Sequence, residues 1–511
     1  MSDSNLPLEK PAATAPATEP AASAVPAVPA PKPKSSRGRG MRLILDIGVF
    51  ALGNLLTKLI QFLLLPFYTS VLSREDYGTA ELVFNFSQLL MPVATLAIAS
   101  GVFRYAADNV DRKKLLSSGL VVVLIGEILV TIGAIGVNYY HPMQYVGFFS
   151  ILLLGEALKS ILGSVTRGFG YPKRFILGGP VEVLTLFLSN LILIGYYKMG
   201  VMGYLWSLVI SNYSASLYFL LASKLYLYIR PSGVDKKLLA ALLIFSIPMM
   251  FNTVIWWFVN MSGRYIIMWR LGEAAAGCYI AASKLPAIIN MAATIFQQAW
   301  QFSTAKEVQS ETRDLFFSQV FRYFAYFIFA VAAVVVAFCP DLADMMLKKE
   351  FRSIGYLLPI LFTVGLVNCF SSFYGTFYNA FKKNRMITIS TLGGAIVSVG
   401  LAYWLNIYWG EFGVAIGTLS GFLVIVILRV VDTQLRFVKL QYNVAPIVSL
   451  LALYAGEVVV QTMEDRVPYH RAICFVLCFV QLAIVYAAER EQIHALPRKL
   501  KNKLAARRRA S

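Results

Sequence analysis

The chain has 511 residues, 58% of them hydrophobic and only 14% charged, with a formal net charge of +19. Soluble domains carry about 25% charged residues, so the composition excludes an ordinary soluble enzyme. The surplus Lys and Arg sit in alternate short loops rather than on one face, which excludes nucleic-acid binding as their purpose.

In chain order, residues 1–42 come first as a separate object. They are rich in Ala and Pro and turn basic at Lys32, Lys34, Arg37 and Arg39. No apolar run is present, so this is not a signal peptide. With few large apolar side chains to bury, the stretch is expected to be a disordered cytoplasmic tail.

Fourteen apolar segments follow, at 44–70, 80–103, 117–138, 144–165, 176–197, 201–225, 239–262, 276–300, 315–338, 354–377, 386–407, 412–434, 444–463 and 471–489. A membrane-spanning helix needs about 20 mostly apolar residues, and each segment is long enough. The connecting loops leave no room for a soluble catalytic domain. The expected fold is an all-α polytopic membrane protein whose chemistry lies inside the bundle or at its rim.

Basic residues mark every second loop: Arg112, Lys113, Lys114; Lys173, Arg174; Arg230, Lys236, Lys237; Lys306, Arg313; Lys382, Lys383, Arg385; Arg436, Lys439. The loops between them are nearly neutral, as in His141-Pro142-Met143. The positive-inside rule places the basic loops, and with an even number of spans both termini, in the cytoplasm. Loop 339–353 is discordant, with Lys348, Lys349 and Arg352, but six other loops agree. The basic tail at 490–511 holds seven Lys or Arg between Arg498 and Arg509 and no acid there. It is expected to contact anionic lipid headgroups, at about 1 kcal/mol per basic residue. The localisation these features imply is the plasma membrane.

Cys278, Cys339, Cys369, Cys474 and Cys478 lie in or beside apolar segments, and His141, His470 and His494 are the only histidines. No metal site and no cofactor is expected from this set; packing explains the cysteines. There is no GxxxxGK[ST] loop, so ATP-driven transport by this chain alone is excluded.

The chain repeats itself. Leu72…Gly78 after segment 1 and Leu271…Gly277 after segment 7 are offset by 199 residues. Gly200…Gly203 and Gly410…Gly413 are offset by 210. Two pairs at equivalent topological positions indicate a duplicated six-helix unit. Six spans is even, so both copies insert alike and are related by a pseudo-two-fold along the membrane normal. The expected division is an N-lobe at 43–237 (helices 1–6), a C-lobe at 238–435 (helices 7–12) and two further helices at 436–489.

The stretch Gly53-Asn54…Lys58…Leu65-Pro66-Phe67…Leu72-Ser73-Arg74-Glu75-Asp76-Tyr77-Gly78 resembles the first helix and loop of polysaccharide flippases. These are the Wzx-like members of the multidrug/oligosaccharidyl-lipid/polysaccharide exporter superfamily. The resemblance continues at Arg104-Tyr105, at Gly263-Arg264-Tyr265…Leu271…Gly277-Cys278-Tyr279…Lys284-Leu285, and at Gly413-Val414-Ala415-Ile416-Gly417. It covers residues 44 to about 435, and its motifs speak to superfamily more than to substrate. It implies two six-helix lobes around a central cavity, with two extra C-terminal helices. Where many relatives carry an acidic residue before the arginine of segment 7, this chain has Gly263, which departs from an ion site there.

Charge inside the spans points to the cavity independently. A charged side chain at a helix centre costs at least about 2.5–3.5 kcal/mol, so each needs a partner or a wet cavity. Asn54, Lys58 and Gln61 share a face of segment 1 by their spacing, and Lys58 lies about 20 Å from the start of that segment at 1.5 Å per residue, too deep to snorkel. Arg264 ends segment 7, where lining the cavity and snorkelling to headgroups are both open. Lys284 precedes Pro286, which should kink its helix. Lys58, Asn54, Gln61, Arg264 and Lys284 are the candidate substrate-binding residues, the cations serving as counter-ions for phosphate. The candidate ion-coupling carboxylates are Glu127, Glu156 and Glu182, with the membrane potential alone as the alternative drive. Glu156 and Lys159, at i and i+3, are expected to pair, and Asp432 to pair at the interface between Arg429 and Arg436. Arg322 lies in segment 9.

These readings converge on a transporter, not an enzyme, with no catalytic residues. The expected function is a flippase that moves lipid-diphosphate-linked oligosaccharide repeat units from the cytoplasmic to the outer leaflet for surface polysaccharide synthesis. The alternatives are a drug or cation exporter, which favours an acidic cavity, and a polysaccharide polymerase or ligase, which calls for a long external loop with acid–base residues. The expected partners are the lipid-linked substrate, anionic lipids, a polymerase and glycosyltransferases, with the protein itself a monomer.

Overall fold

An apolar segment in a bilayer must satisfy its own backbone hydrogen bonds, so runs of this length and spacing become helices. The computed structural model describes residues 57–508, except 107–109, 141–144, 231–232, 308–311, 382–384, 437, 442 and 465. Asn54 and the tail at 1–42 lie outside the described residues. Helices dominate, and no strand occurs among the described residues.

Helix α1 is described over 57–71. It is followed by α2 (Arg74–Ala94), α3 (Ile98–Ala106), α4 (Arg112–Tyr140), α5 (Val146–Gly168), α6 (Pro172–Asn190) and α7 (Gly200–Ala222). Then come α8 (Lys236–Leu271), α9 (Glu273–Ala282), α10 (Ala287–Glu307), α11 (Arg313–Ala337), α12 (Cys339–Met346), α13 (Leu358–Ala380), α14 (Arg385–Arg436), α15 (Val444–Thr462) and α16 (His470–Arg508). Ten helices are long and apolar enough to cross a membrane, or eleven if α2 and α3 count as one bent span. The expected count of fourteen is not reached by that measure. Helix α14, with 52 residues, is two arms joined at Gly410. The described part of α1 is short, and the eighth expected segment is divided between α9 and α10. The chain is a multi-pass membrane protein.

Three departures from the expected segments have local causes. Helices α2 and α3 meet at 56°, just after Pro92, which has no N–H for the helix ladder. Leu96 and Ala97 take φ of +48° and +50° there, at roughly 1–2 kcal/mol each for an L residue. The eighth segment breaks at 283–286 before Pro286. Loop 339–353, expected to be a loop, is instead α12 followed by a 3-10 helix at Lys349–Leu357. Its basic residues are used at once: Arg352 pairs with Asp344 at 2.7 Å, and Lys348 donates to the Asp344 carbonyl at 2.8 Å.

The repeated glycines occupy matching places. Gly200 and Gly410 both have φ of +54°, a conformation that costs glycine nothing. Gly78 of α2 and Gly277 of α9 lie against each other. A Cβ on Gly78 would strike the Glu273 carbonyl, and one on Gly277 would strike the Arg74 carbonyl. Glu273 and Arg74 each precede their glycine by four residues. The contact is therefore reciprocal, as a two-fold axis between the helices requires.

The ends of the bundle differ chemically. Exposed Tyr139, Tyr140, Tyr196, Tyr197, Trp269, Trp404, Tyr408 and Trp409 cluster at the ends of α4, of the π-helical turn after α6, of α8 and of the first arm of α14. The opposite side carries guanidinium groups over aromatic rings, Arg112 on Phe169 at 4.9 Å and Arg174 on Tyr171 at 4.5 Å. Aromatic belts of this kind mark a membrane–water interface.

Candidate functional site

A cavity of about 470 Å³ opens between the first helices of the two repeats, lined by α1, α2, α5, α6, α7, α8, the α9–α10 turn and the start of α10. Lys58 and Gln61 of α1 line it, ten and seven residues from Tyr68, which lines it too. At 1.5 Å per residue the cavity spans about 15 Å along α1. Four cations, Lys58, Lys159, Arg264 and Lys284, and two carboxylates, Glu81 and Glu182, face it. The wall therefore carries an excess of positive charge.

Each charge is positioned by a specific neighbour. Lys58, half-buried, donates to Thr294 Oγ1 of α10 at 3.2 Å. Arg264 is buried rather than snorkelling, and donates to Asn85 Oδ1 and Ser283 Oγ, both at 3.2 Å. Among the described residues neither Lys58 nor Arg264 belongs to an ion pair. Lys284, projected by the turn before Pro286, pairs with Glu81 of α2, which also accepts from the Tyr204 hydroxyl. The Lys284 ammonium lies 5.3 Å from the centre of the Tyr77 ring and 5.9 Å from that of Tyr68, within cation–π range.

Lys159 does not pair with Glu156 as its spacing suggested. It reaches across to Glu182 Oε1 at 2.8 Å and Asn212 Oδ1 at 2.6 Å. Helix α5 packs against both α6 and α7, so two acceptors face Lys159, while Glu156 meets α2. There it accepts from Ser87 at 3.1 Å and Gln88 at 2.6 Å. Glu156, Lys159 and Glu182 also line a second cavity of about 400 Å³ on the far side of that pair. Glu127 is buried in α4 and, among the described residues, accepts from Thr131 alone, at 3.3 Å; it lines neither cavity. Asp432 pairs with Arg436 at 2.9 Å, and Arg322 with Glu489 at 2.8 Å.

The two halves close over one end of the cavity. Beyond Gly78 and Gly277, Thr79 donates to Glu273 at 2.7 Å, Tyr265 to the Leu82 carbonyl at 2.8 Å, and Trp257 Nε1 to the Asn85 carbonyl at 2.8 Å. Arg74 pairs with Glu350 at 2.8 Å, and Thr69 donates to the Met346 carbonyl at 2.9 Å. The 339–357 segment thus straps the α1–α2 turn. Each of these contacts joins a residue before 107 to one after 235.

Sequence reasoning missed Glu81. The expected second segment began at residue 80, which put Glu81 at its very edge, and it was not considered among the charges inside the spans. The helix starts at Arg74, about two turns earlier, and carries Glu81 into the bundle. The Ser73 side chain, accepting from the Asp76 N–H at 3.0 Å, was the legible signal of that start. Among the described residues, no three His, Cys, Asp or Glu side chains converge as a metal site would need.

Comparison with known proteins places this arrangement. No curated protein sequence matches the chain. The solved structures do: the lipid II flippase MurJ in an inward closed conformation is similar at a TM-score of 0.64 and 13% identity, over 87% of this chain and 99% of that one. An inward-facing multidrug resistance MATE family transporter of the MOP superfamily is similar at 0.59 and 19%, over 79% and 96%. A MOP superfamily transporter from Pyrococcus furiosus, described by the reversed polarity of its binding pocket, is similar at 0.55 and 18%, over 80% and 96%. At these identities the likeness establishes a fold shared with MOP-superfamily transporters. Residues 43–301, just over half of the chain, match the model of the polysaccharide biosynthesis protein family. The chain, an all-helical membrane protein with the MOP-transporter fold, belongs to the polysaccharide biosynthesis protein family.

Proposed function

We propose that the protein is a flippase that carries lipid-diphosphate-linked oligosaccharide units from the cytoplasmic to the outer leaflet of a bacterial plasma membrane, both of its termini being cytoplasmic. The observation that carries this reading is the sign of the cavity: four cations against two carboxylates, with Lys58 and Arg264 held, among the described residues, by neutral oxygens. A diphosphate bears an anionic oxygen on each phosphorus and does not cross hydrocarbon unpaired. Ammonium and guanidinium groups are its natural counter-ions. The reciprocal Gly78–Gly277 contact supports lobes at 43–237 and 238–435 that rock about the cavity, with 436–489 outside the duplication. The headgroup travels through the wet interior while the lipid tail stays in the bilayer.

The same sign disfavours export of cationic drugs. Glu182 is engaged by Lys159, which leaves Glu156 and Glu127 as the carboxylates available for coupling to an ion.

Deleting the protein tests the reading. Lipid-linked units should then accumulate on the inner face, resistant to an external glycosidase, with surface polysaccharide missing. A polymerase defect would leave single units outside, and an exporter defect would leave the polysaccharide intact and raise sensitivity to cationic dyes. Intermediates fully digestible from outside in the deletion strain would overturn the assignment.

A further inference from the structure

Glu81 is the one cavity carboxylate that belongs to the closed end, and its partners are unusual. It is 2% exposed and sits on α2, while Lys284 comes from the other half of the molecule. One helical turn along α2, Asn85 receives the guanidinium of Arg264, also from the other half. One face of α2 thus meets the two cations, with its only negative charge on Glu81.

We propose that Glu81 is a resident anion: it occupies a phosphate-binding position beside Lys284 and Arg264 and holds the seam shut, and a diphosphate headgroup opens the seam by taking its place. The proposal rests on the reading of the cavity as a site for an anionic headgroup. Buried charges are tolerated when paired and costly when a partner leaves. Opening the seam without substrate would strand Lys284 and Arg264 on one side and Glu81 on the other. A bound phosphate supplies to Lys284 what Glu81 supplied, and to Arg264 the acceptor that Asn85 supplied. The Tyr204 hydroxyl stays with the carboxylate, since α7 belongs to the same half as α2.

The placement makes the exchange mechanical. Glu81 lies three residues beyond Gly78 on α2, and Lys284 lies seven beyond Gly277. Loosening the ion pair therefore acts directly on the helix crossing. The Tyr68 and Tyr77 rings keep the Lys284 ammonium at the cavity wall. Lys58, some ten residues from Tyr68 on α1, lies away from the Glu81–Lys284 pair and is left to meet the headgroup.

Cys278, next to Gly277 and 4% exposed, is a native reporter. The test uses the full chain in nanodiscs with Cys339, Cys369, Cys474 and Cys478 replaced by Ala, and a membrane-impermeant maleimide. Farnesyl diphosphate is the probe, and its binding is measured separately with radiolabel. Labelling of Cys278 should be slow in this background and accelerate by about tenfold with the probe. Glu81→Gln, and independently Lys284→Gln, should label fast without it. The charge-swapped pair Glu81→Lys with Lys284→Glu should restore protection. If the probe binds but leaves Cys278 labelling unchanged, or if both single variants stay protected, the resident-anion proposal is wrong while the headgroup reading stands. If the probe does not bind at all, both fall.

Discussion

Arg264 and Arg429 are both buried in membrane-spanning helices and both are held by neutral oxygens, yet their surroundings differ. Arg429, 2% exposed, donates from Nε to Ser390 Oγ at 3.0 Å, from Nη1 to the Ser371 carbonyl and hydroxyl at 2.8 and 3.0 Å, and from Nη2 to Thr391 Oγ1 at 3.1 Å. It also lies 5.9 Å from the centre of the Trp256 ring. All these partners belong to the second repeat, so the guanidinium fork ties α8, α13 and both arms of α14 together. Arg264 divides its bonds between the two halves, and it faces the cavity. A buried cation whose donors end inside one half fastens that half. One whose donors cross the seam, with space beside it, is placed to exchange partners.

The largest effect separates these roles. Arg429→Ala should lose the folded protein, by about 3–5 kcal/mol from the cavity and the charge-assisted bonds removed; Arg429→Lys keeps the charge but not the fork and should fall between. Thermal unfolding in detergent and abundance in the membrane report it. An Arg429→Ala protein that melts like its parent would erase the contrast.

On the cavity side the expected loss is of transport, not of protein. Lys58→Ala and Arg264→Ala should each lower export about ten- to a hundredfold, the equivalent of one charge-assisted bond at about 1.5–3 kcal/mol. Lys58→Arg should retain part of it. Surface polysaccharide, normalised to membrane abundance, is the readout; normal export by Lys58→Ala at normal abundance would remove the best residue from the model.

Gly277→Ala sharpens the comparison at the seam. The added methyl meets the Arg74 carbonyl, so the helices must part, at about 1–3 kcal/mol. The resting seam should loosen, seen as faster modification of Cys278, while the Arg429 cluster is untouched. Unchanged protection would mean that the crossing does not hold the seam.

The smallest effect lies in the linker between the halves. Asp235 caps α8, accepting from the Lys237 and Leu238 N–H groups at 3.0 and 3.3 Å, and pairs with Lys114 at 3.2 Å. The Leu238 N–H, then Lys114, hold its carboxyl below the ordinary range. A depressed carboxylate contributes stability above its unfolded value and loses it as pH falls through the folded one. Thermal stability should thus show a slight decline on acidification below the ordinary carboxylate range that is absent in Asp235→Asn, which keeps a capping oxygen without the charge; equal acid profiles would refute the charge's contribution.

Several of these features were legible beforehand. The spans needed only a count of apolar residues, and the break at Pro286 followed from the missing N–H of proline. The glycine pair at 78 and 277 was visible as a repeat, although its mutual contact was not. Lys58, Arg264 and Lys284 stood out because a lone charge in an apolar run is conspicuous in one dimension. Glu81 did not, since it fell at a misjudged helix start, and Arg429 was read only as a neighbour of Asp432. The partner of Lys159 was misassigned because sequence spacing sees only the side chain's own helix.

What the sequence alone determined here is whatever the bilayer enforces segment by segment. The helical class, the approximate spans, the alternation of basic loops and the presence of stranded cations all follow from the cost of bringing charge or unpaired backbone into hydrocarbon. Only the tertiary structure decided which stranded charge meets which acceptor. Glu81 finds Lys284 across 203 residues and Lys159 finds Glu182 rather than Glu156, because pairing depends on which helix faces which. That choice is made by packing, as where Gly78 and Gly277 bring two backbones together.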